Sequence, residues 1–222
     1  MSNDPNESDD STEFEEFQED DPREMTETED CTNNYELSTH LPKHGKKVLR
    51  AVFREALKKP KSPVVLLLIG SESQKGVISN ISQQTLNVFT TGQPHQTLNL
   101  KTINIKTSNT GVEIENYFKD ALEDNQQSTL LIEDLEQLST SALLTLHQYI
   151  NEDESTYKNI FLIFTLKYID DIKIRDSAEE NYFNEIAISL LENLWANSGI
   201  SKDKIDCIIS RINKYLVILL NE

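Results

Sequence analysis

The chain has 222 residues and a formal net charge of -17, from 38 Asp and Glu against 21 Lys and Arg. The acidity lies mainly in residues 1–40, which hold 15 of the 38 acids and a single base, Arg23. The rest carries 20 bases and 23 acids, a balance that is typical of a soluble domain and excludes nucleic acid as the expected main partner. No run reaches the roughly 18 to 20 apolar residues of a membrane span, and neither an anchor nor a secretory signal is expected.

The composition divides the chain into two parts. Residues 1–42 are predicted to be a disordered acidic tail, because their Asp, Glu, Ser, Thr and Asn residues bury too little apolar surface to offset the entropy of ordering. Residues 43–222 are predicted to form one domain that is long enough to bury a core. Cys31 in the tail and Cys207 in the domain make no disulfide framework, although a single bridge between them stays open.

The domain begins with a predicted helix and a predicted buried strand. Residues 44–59 have apolar side chains at helical spacing, and Pro60 and Pro63 end the pattern. The basic side chains of this helix are interpreted as a solvated face, with a binding patch as the alternative. Residues 64–69 are all Val, Leu or Ile, which is typical of a central parallel strand that is covered on both sides.

Helices and strands then alternate along the chain. This alternation predicts an α/β fold with a mainly parallel sheet and helices on both faces. The further elements expected from apolar periodicity are a helix over 77–89, a strand over 97–105, a helix over 114–122, a strand over 129–132, a helix over 142–150, a strand over 160–166, a helix over 182–195, a helix that ends near 212 with Ser201 as its N-cap, and a strand over 215–220.

The turn after the first strand is where a phosphate-binding loop would lie in such a fold. That loop needs a Gly-Lys pair followed by Ser or Thr, so that an ammonium contacts the phosphates and a hydroxyl contacts magnesium. Here Lys75 precedes Gly76, Val77 stands in place of the hydroxyl, and Glu72 adds a charge that repels phosphate. We therefore predict a degenerate site with no bound nucleotide and no cofactor.

Two acidic residues, Glu133 and Asp134, follow the third strand. Acids at this position order magnesium and activate water in nucleotide hydrolases. The alternative is that they are helix-start acids, which the helix dipole favours. Thr165, at the end of the next strand, occupies a sensor-like position but is also a residue of high β propensity.

The histidines give little support for a metal site. None of the four has ligand spacing with another histidine or with a cysteine. One of them, His147, falls on the apolar face of its predicted helix, where a core histidine is the usual interpretation. No metal ligands are therefore predicted among His40, His44, His95 and His147.

A single arginine, Arg211, stands out on the penultimate predicted helix. The stripe formed by Ile205, Ile208, Ile209 and Ile212 is expected to pack inward, and Arg211 lies about 110° from the middle of that stripe. Its guanidinium can therefore reach solvent or a partner while the stem lies along the domain. A fixed guanidinium suits the neutralisation of charge on a γ-phosphate, also when a second protein supplies it. An ordinary surface arginine is the alternative.

The residues around this arginine resemble a known family. Several segments resemble the torsin-activating lumenal domains, the family of lamina-associated polypeptide and its relatives. They are the block 203–212 with its continuation into the strand 215–218, the strand 63–68, and the stretches 131–135 and 149–166. The resemblance covers most of residues 46–220. Its specific part is Ser210-Arg211-Ile212, whereas the other pieces are strands of a general α/β kind.

The resemblance implies an AAA+-like, P-loop NTPase-like domain that binds no nucleotide. It further implies a torsin AAA+ ATPase as partner, the lumen of the endoplasmic reticulum or nuclear envelope as location, and Arg211 as an arginine finger supplied in trans. The chain departs from the family pattern because it has neither the membrane span nor the cysteine that follows the terminal strand.

Three functions follow as hypotheses. The first is a non-enzymatic activator that binds a torsin ATPase and stimulates it through Arg211. The second is a divergent P-loop ATPase that acts on its own through Lys75 and Glu133. The third is an adaptor with an acidic tail and no link to ATP.

Overall fold

The computed structural model describes residues 41–58, 61–90, 96–99, 110–124, 128–151, 155–168 and 180–219. Residues 1–40 of the predicted tail, including Cys31 and His40, lie outside these ranges, as does His95. The last two residues of the predicted tail belong to the domain instead, because Leu41 is buried in its core and Pro42 is the N-cap of the first helix. Within the described ranges the helices are α1 (Lys43–Leu57), α2 (Lys75–Thr90), α3 (Thr110–Lys119), α4 (Thr140–Ile150), α5 (Glu180–Trp195) and α6 (Lys202–Ile212), and the strands are β1 (Val64–Ser71), β2 (Gln96–Asn99), β3 (Thr129–Glu133), β4 (Phe161–Tyr168) and β5 (Tyr215–Ile218).

The five strands form one parallel sheet in the order β2-β3-β4-β1-β5. Because parallel neighbours need a crossover connection, helices separate the strands along the chain. Val64 pairs with Phe161 of β4, and Leu66 pairs with Tyr215 of β5. The predicted fold class, an α/β fold with a mainly parallel sheet and flanking helices, is confirmed.

Strand β1 explains why helices cover both faces of this sheet. Its side chains point alternately to opposite sides, and all six apolar residues of the run 64–69 are buried. Val65, Leu67 and Ile69 belong to a core shared with α3, α4, α5 and α6. The even-numbered residues of the strand belong to a second core shared with α1 and α2. A strand that is apolar on both faces therefore requires two helical layers.

Most element boundaries differ from the predicted ones by a few residues. Helix α2 begins at Lys75 because a short 3₁₀ turn, Glu72–Gln74, leads directly from β1 into it. Only Gln96–Asn99 of the strand predicted over 97–105 is described. Ser201 is the N-cap of α6 as predicted, but its side chain makes no capping hydrogen bond. Gly199, with φ of 76°, ends the turn after α5 in the left-handed conformation that glycine tolerates.

Parallel strands give the sheet two chemically different edges. The strands β1, β3 and β4 end at Ser71, Glu133 and Tyr168, and we call this side the carboxyl edge. The opposite side, where the strands begin, is the amino edge. In open α/β sheets ligands bind beyond the carboxyl ends of the strands, so the two edges are described separately.

Candidate functional site

A small cleft of about 60 Å³ lies at the carboxyl edge. Residues from α2 and from the ends of β3 and β4 form its walls. Four of the residues singled out by the sequence meet here, and Lys167 joins them although the sequence analysis missed it. The lining residues are Lys75, Ile78, Ser79, Glu133, Asp134, Thr165 and Lys167.

The turn between β1 and α2 uses its polar groups internally. The backbone N–H of Ser71 donates to Gln74 Oε1 at 3.0 Å, and the Ser71 side chain accepts from the Gln74 backbone in a reciprocal capping box. The hydroxyls of Ser71 and Ser73 are 2.7 Å apart. A phosphate-binding loop instead leaves successive backbone N–H groups open toward the ligand. In this turn the backbone N–H groups of Ser71 and Gln74 are used within the turn itself.

Gly70 allows the turn to pack closely against α2. A Cβ atom at this position would lie 2.7 Å from Ile78 Cδ1 and 3.1 Å from Gln74 Oε1. The side chain of Ile78 is buried and lines the cleft as well. Ile78 therefore packs directly against the end of β1 beside the cleft.

Asp134 has an unusual backbone conformation directly after β3. Its φ of 62° and ψ of 49° are left-handed, which makes it the one non-glycine residue with positive φ in the described part of the chain. Its backbone N–H donates to Thr165 Oγ1 at 3.1 Å. Thr165 thus fixes the chain after β3 from the neighbouring strand. Left-handed residues of this kind are strained and concentrate at functional sites.

Lys167 is the cleft residue that the sequence analysis missed. Its ammonium pairs with the Asp134 carboxylate, and it also lies 3.8 Å from Glu72 Oε2. Its backbone N–H donates to Glu136 Oε2 at 3.2 Å. The sequence could have indicated that Lys167 lies near Thr165, because residues two apart on a strand share a face. Lys167 therefore lies beyond Thr165 on the same face of β4, at the end of an otherwise apolar run.

The residues of the cleft do not fit the nucleotide and magnesium that this fold usually holds. Drug-sized ligands occupy pockets of about 300 to 1,000 Å³, several times the volume found here. Two lysines stand against four acids, Glu72, Glu133, Asp134 and Glu136, so the neighbourhood is formally negative by two. Such a charge repels a triphosphate. The predicted degenerate character of the site agrees with this geometry.

Arg211 lies at the other edge of the sheet. Helix α6 ends at Ile212, and β5 then begins at Tyr215, which pairs with Leu66 of β1. Leu66 is five residues before Ser71, or about 16 Å along the strand. Arg211 is half-buried, whereas the four isoleucines of its helix are buried as predicted. It therefore cannot reach the cleft of its own domain.

Two further side-chain pairs involve residues outside the cleft. Tyr157 precedes β4 at the amino edge and donates its hydroxyl to Glu123, and this hydrogen bond raises the pKa of Tyr157 to about 12. His147 is buried, as the sequence predicts, and its Nε2 lies 3.7 Å from the exposed Cys207 Sγ on α6.

Across the described ranges, no helix is long and apolar enough to span a bilayer.

The comparisons with known proteins find similar structures but no similar sequence. No protein-family model matches the chain, and no curated protein does. A solved structure of the DnaC helicase loader aligns with 86% of this chain and 98% of its own length, at 14% identity and a TM-score of 0.45. A DNA replication initiation factor aligns with 86% of this chain and 50% of its own, at 13% identity and a TM-score of 0.42. A DNA polymerase III gamma subunit-related protein from Thermotoga maritima aligns at 9% identity and a TM-score of 0.37.

These matches correct the family assignment. The three structures named above are replication proteins and not torsin activators, and no family model supports the resemblance, so the torsin-activator prediction is wrong. The physical reason is that the matching strands are apolar runs that any parallel sheet of this kind contains. The specific part, Ser210-Arg211-Ile212, spans less than one helical turn. The expected lumenal location came from the same resemblance and has no other support.

Proposed function

We propose that this chain is a non-hydrolysing AAA+-like domain that assists the ATPase of a partner subunit, to which it presents Arg211. The observation that carries the proposal is the separation of Arg211 from a closed cleft. The cleft is filled by its own contacts, and the arginine lies at the opposite edge of the sheet. A guanidinium in that position can act on a phosphate only when a second protein brings the phosphate to it.

The chemistry of the arginine suits this role. A guanidinium stays charged at every physiological pH and offers a planar fork of donors to phosphate oxygens. On α6 it is held by a helix whose apolar stripe is buried against the domain. Rigid placement is what allows a cation to stabilise a transferring phosphoryl group without reorganisation.

The surface between α5 and α6 offers room for a partner. A groove of about 220 Å³ lies between α5 and α6, and it includes Ile188, a large apolar side chain that is 38% exposed. Ser210 of α6 and Asn213, its C-cap, also line the groove. A partner that packs into this groove would therefore contact the same end of α6 on which Arg211 lies.

The test begins with the identification of the partner. A photo-crosslinking amino acid in place of Asp206, an exposed residue that lines the groove, should capture a P-loop ATPase. The purified partner is then assayed with wild-type chain and with Arg211→Ala. We expect complex formation to persist and the stimulation of ATP hydrolysis to fall by about 10³-fold or more, the usual value of such a finger.

The matched control is Arg50→Ala, which removes an exposed arginine from α1. It should stimulate the partner like the wild type, because α1 covers the other face of the sheet. Equal stimulation by Arg211→Ala and wild type would overturn the proposal and favour an adaptor without a link to ATP.

A divergent P-loop ATPase is the second candidate. The observation that favours it is that Lys75 and Glu133, the two residues it needs, line the same cleft together with Thr165. Titration of the isolated chain with a fluorescent ATP analogue in the presence of Mg²⁺ separates the two functions. Tight binding that is lost in Lys75→Met would establish this candidate, whereas no saturable binding supports the closed cleft.

A further inference from the structure

We infer that the Lys167 ammonium takes the position of the divalent cation at the carboxyl edge, so that the cleft carries its own cation as part of the polypeptide. The inference rests on one part of the proposed function, namely that the cleft binds no nucleotide. It gives the physical reason for that property and adds a prediction about metal binding. Arg211 and the partner do not enter into it.

The first argument is the burial of the ion pair. The side chain of Asp134 is 3% exposed and that of Lys167 is 10% exposed. A carboxylate that is removed from water requires a cation nearby. In nucleotide hydrolases the acid at the end of this strand is among the ligands that hold magnesium. Here Lys167 supplies the positive charge at the same place.

The second argument is that several contacts fix Lys167 in this position. Its backbone N–H is bound to the Glu136 carboxylate, and its ammonium lies near Glu72 in addition to Asp134. Thr165, two residues earlier on the same strand, holds the backbone of Asp134. The position of Lys167 is therefore fixed by contacts with residues at the ends of β1 and β3.

The third argument is the charge that would remain without the lysine. Glu133 and Asp134 line the cleft, and Glu72 faces it from the turn. Magnesium and manganese prefer carboxylate oxygens and bind with one or two carboxylates when waters complete the shell. In the described residues no group of three or more His, Cys, Asp or Glu is arranged to hold a metal. Removal of Lys167 should nevertheless leave an acidic cleft that attracts such a cation.

The experiment uses the full chain and Mn²⁺ alone, with free Mn²⁺ measured by electron paramagnetic resonance. Lys167→Met removes the charge but keeps an unbranched side chain, and we expect it to bind Mn²⁺ at least about tenfold more tightly than the wild type. Lys167→Arg keeps a cation in the cleft and should behave like the wild type. The double variant Asp134→Asn with Lys167→Met should lose the gained binding.

In the binding measurement, two outcomes would overturn the inference. One is wild-type binding of Mn²⁺ as tight as that of Lys167→Met, and the other is no gain in that variant. If Lys167→Met is unfolded in metal-free buffer, circular dichroism during Mn²⁺ titration takes the place of the binding signal. Recovery of the fold with Mn²⁺ supports the inference, and absence of recovery overturns it. Because no partner is present, these results are independent of the Arg211 test.

Discussion

The two edges of the sheet use charged residues in opposite ways. At the carboxyl edge Lys167 and Asp134 are buried in contact with each other, and the turn after β1 satisfies its own donors. At the amino edge Arg211 lies half-buried near the end of a helix. The first charges contact each other inside the domain, whereas the proposed role of Arg211 requires a second molecule.

This difference shows that a fold can be present without the chemistry that it usually supports. A parallel sheet with acids after one strand and a lysine in the first turn has the parts of a nucleotide site. These parts are present here, but the Asp134 carboxylate pairs with Lys167 of the same domain. Function has to be argued from such contacts and not from the fold. The following predictions test the contrast between the edges, beginning with the largest expected effect.

Asp134→Asn should cost about 3 to 5 kcal/mol in the free energy of unfolding, because it leaves the buried Lys167 without its counter-charge. Asparagine tolerates the left-handed backbone at this position, so the loss reports the charge and not the conformation. Urea unfolding at neutral pH measures the effect. The matched variant at the amino edge, Arg211→Ala, should cost less than about 1 kcal/mol. Equal losses at the two positions would contradict the contrast.

Gly70→Ala should cost about 1 to 3 kcal/mol, because the new methyl group would lie 2.7 Å from Ile78 Cδ1 in a packed region. Ile78→Val removes that Cδ1 atom, so the double variant should lose less stability than the two single losses together. Gly76→Ala is the control, since a Cβ there meets nothing within 4 Å. It should be neutral or slightly stabilising in the helix. If Gly70→Ala is also neutral, the turn has the free space that a phosphate loop would need.

Tyr157→Phe should have the smallest effect, at the amino edge. Because the pKa of Tyr157 is raised from 10.0 to about 12 in the folded chain, the unfolded chain loses this proton first as the pH rises. The stabilisation is complete below pH 10 and is lost between about pH 10 and 12. Tyr157→Phe should reduce the loss of unfolding free energy between about pH 10 and 12. The reduction should be less than about 1 kcal/mol, because this hydrogen bond is exposed. Urea unfolding across this pH range measures it, and identical slopes for the two chains would contradict the assignment.

The sequence predicted the features that depend on neighbours along the chain. The apolar run 64–69 identified the central strand, since only a strand covered on both faces is apolar at every position. The isoleucine stripe identified the buried face of α6. Reversal of the Gly-Lys order at Lys75 and Gly76 indicated that the phosphate loop is degenerate. The family resemblance was wrong, because short apolar strands recur in many sheets and carry little information about descent.

The site at the carboxyl edge required contacts between distant segments. The pair Lys167 and Asp134 joins residues 33 positions apart, and the hydrogen bond from Asp134 to Thr165 joins residues 31 apart. Neither pair can be read from periodicity, which reports only the face on which a residue lies. The strand order β2-β3-β4-β1-β5 is what brings these residues together.

The sequence by itself determined an α/β domain with an acidic N-terminal segment, a sheet apolar on both faces and a first turn unsuited to phosphate. These properties follow from local composition, side-chain period and turn chemistry. Only the tertiary structure decided that Lys167 neutralises Asp134 and that Arg211 faces away from the cleft. Both positions depend on which strands are neighbours and on the edge of the sheet that each segment reaches. The long-range packing of the core determines both, and local sequence patterns do not report it.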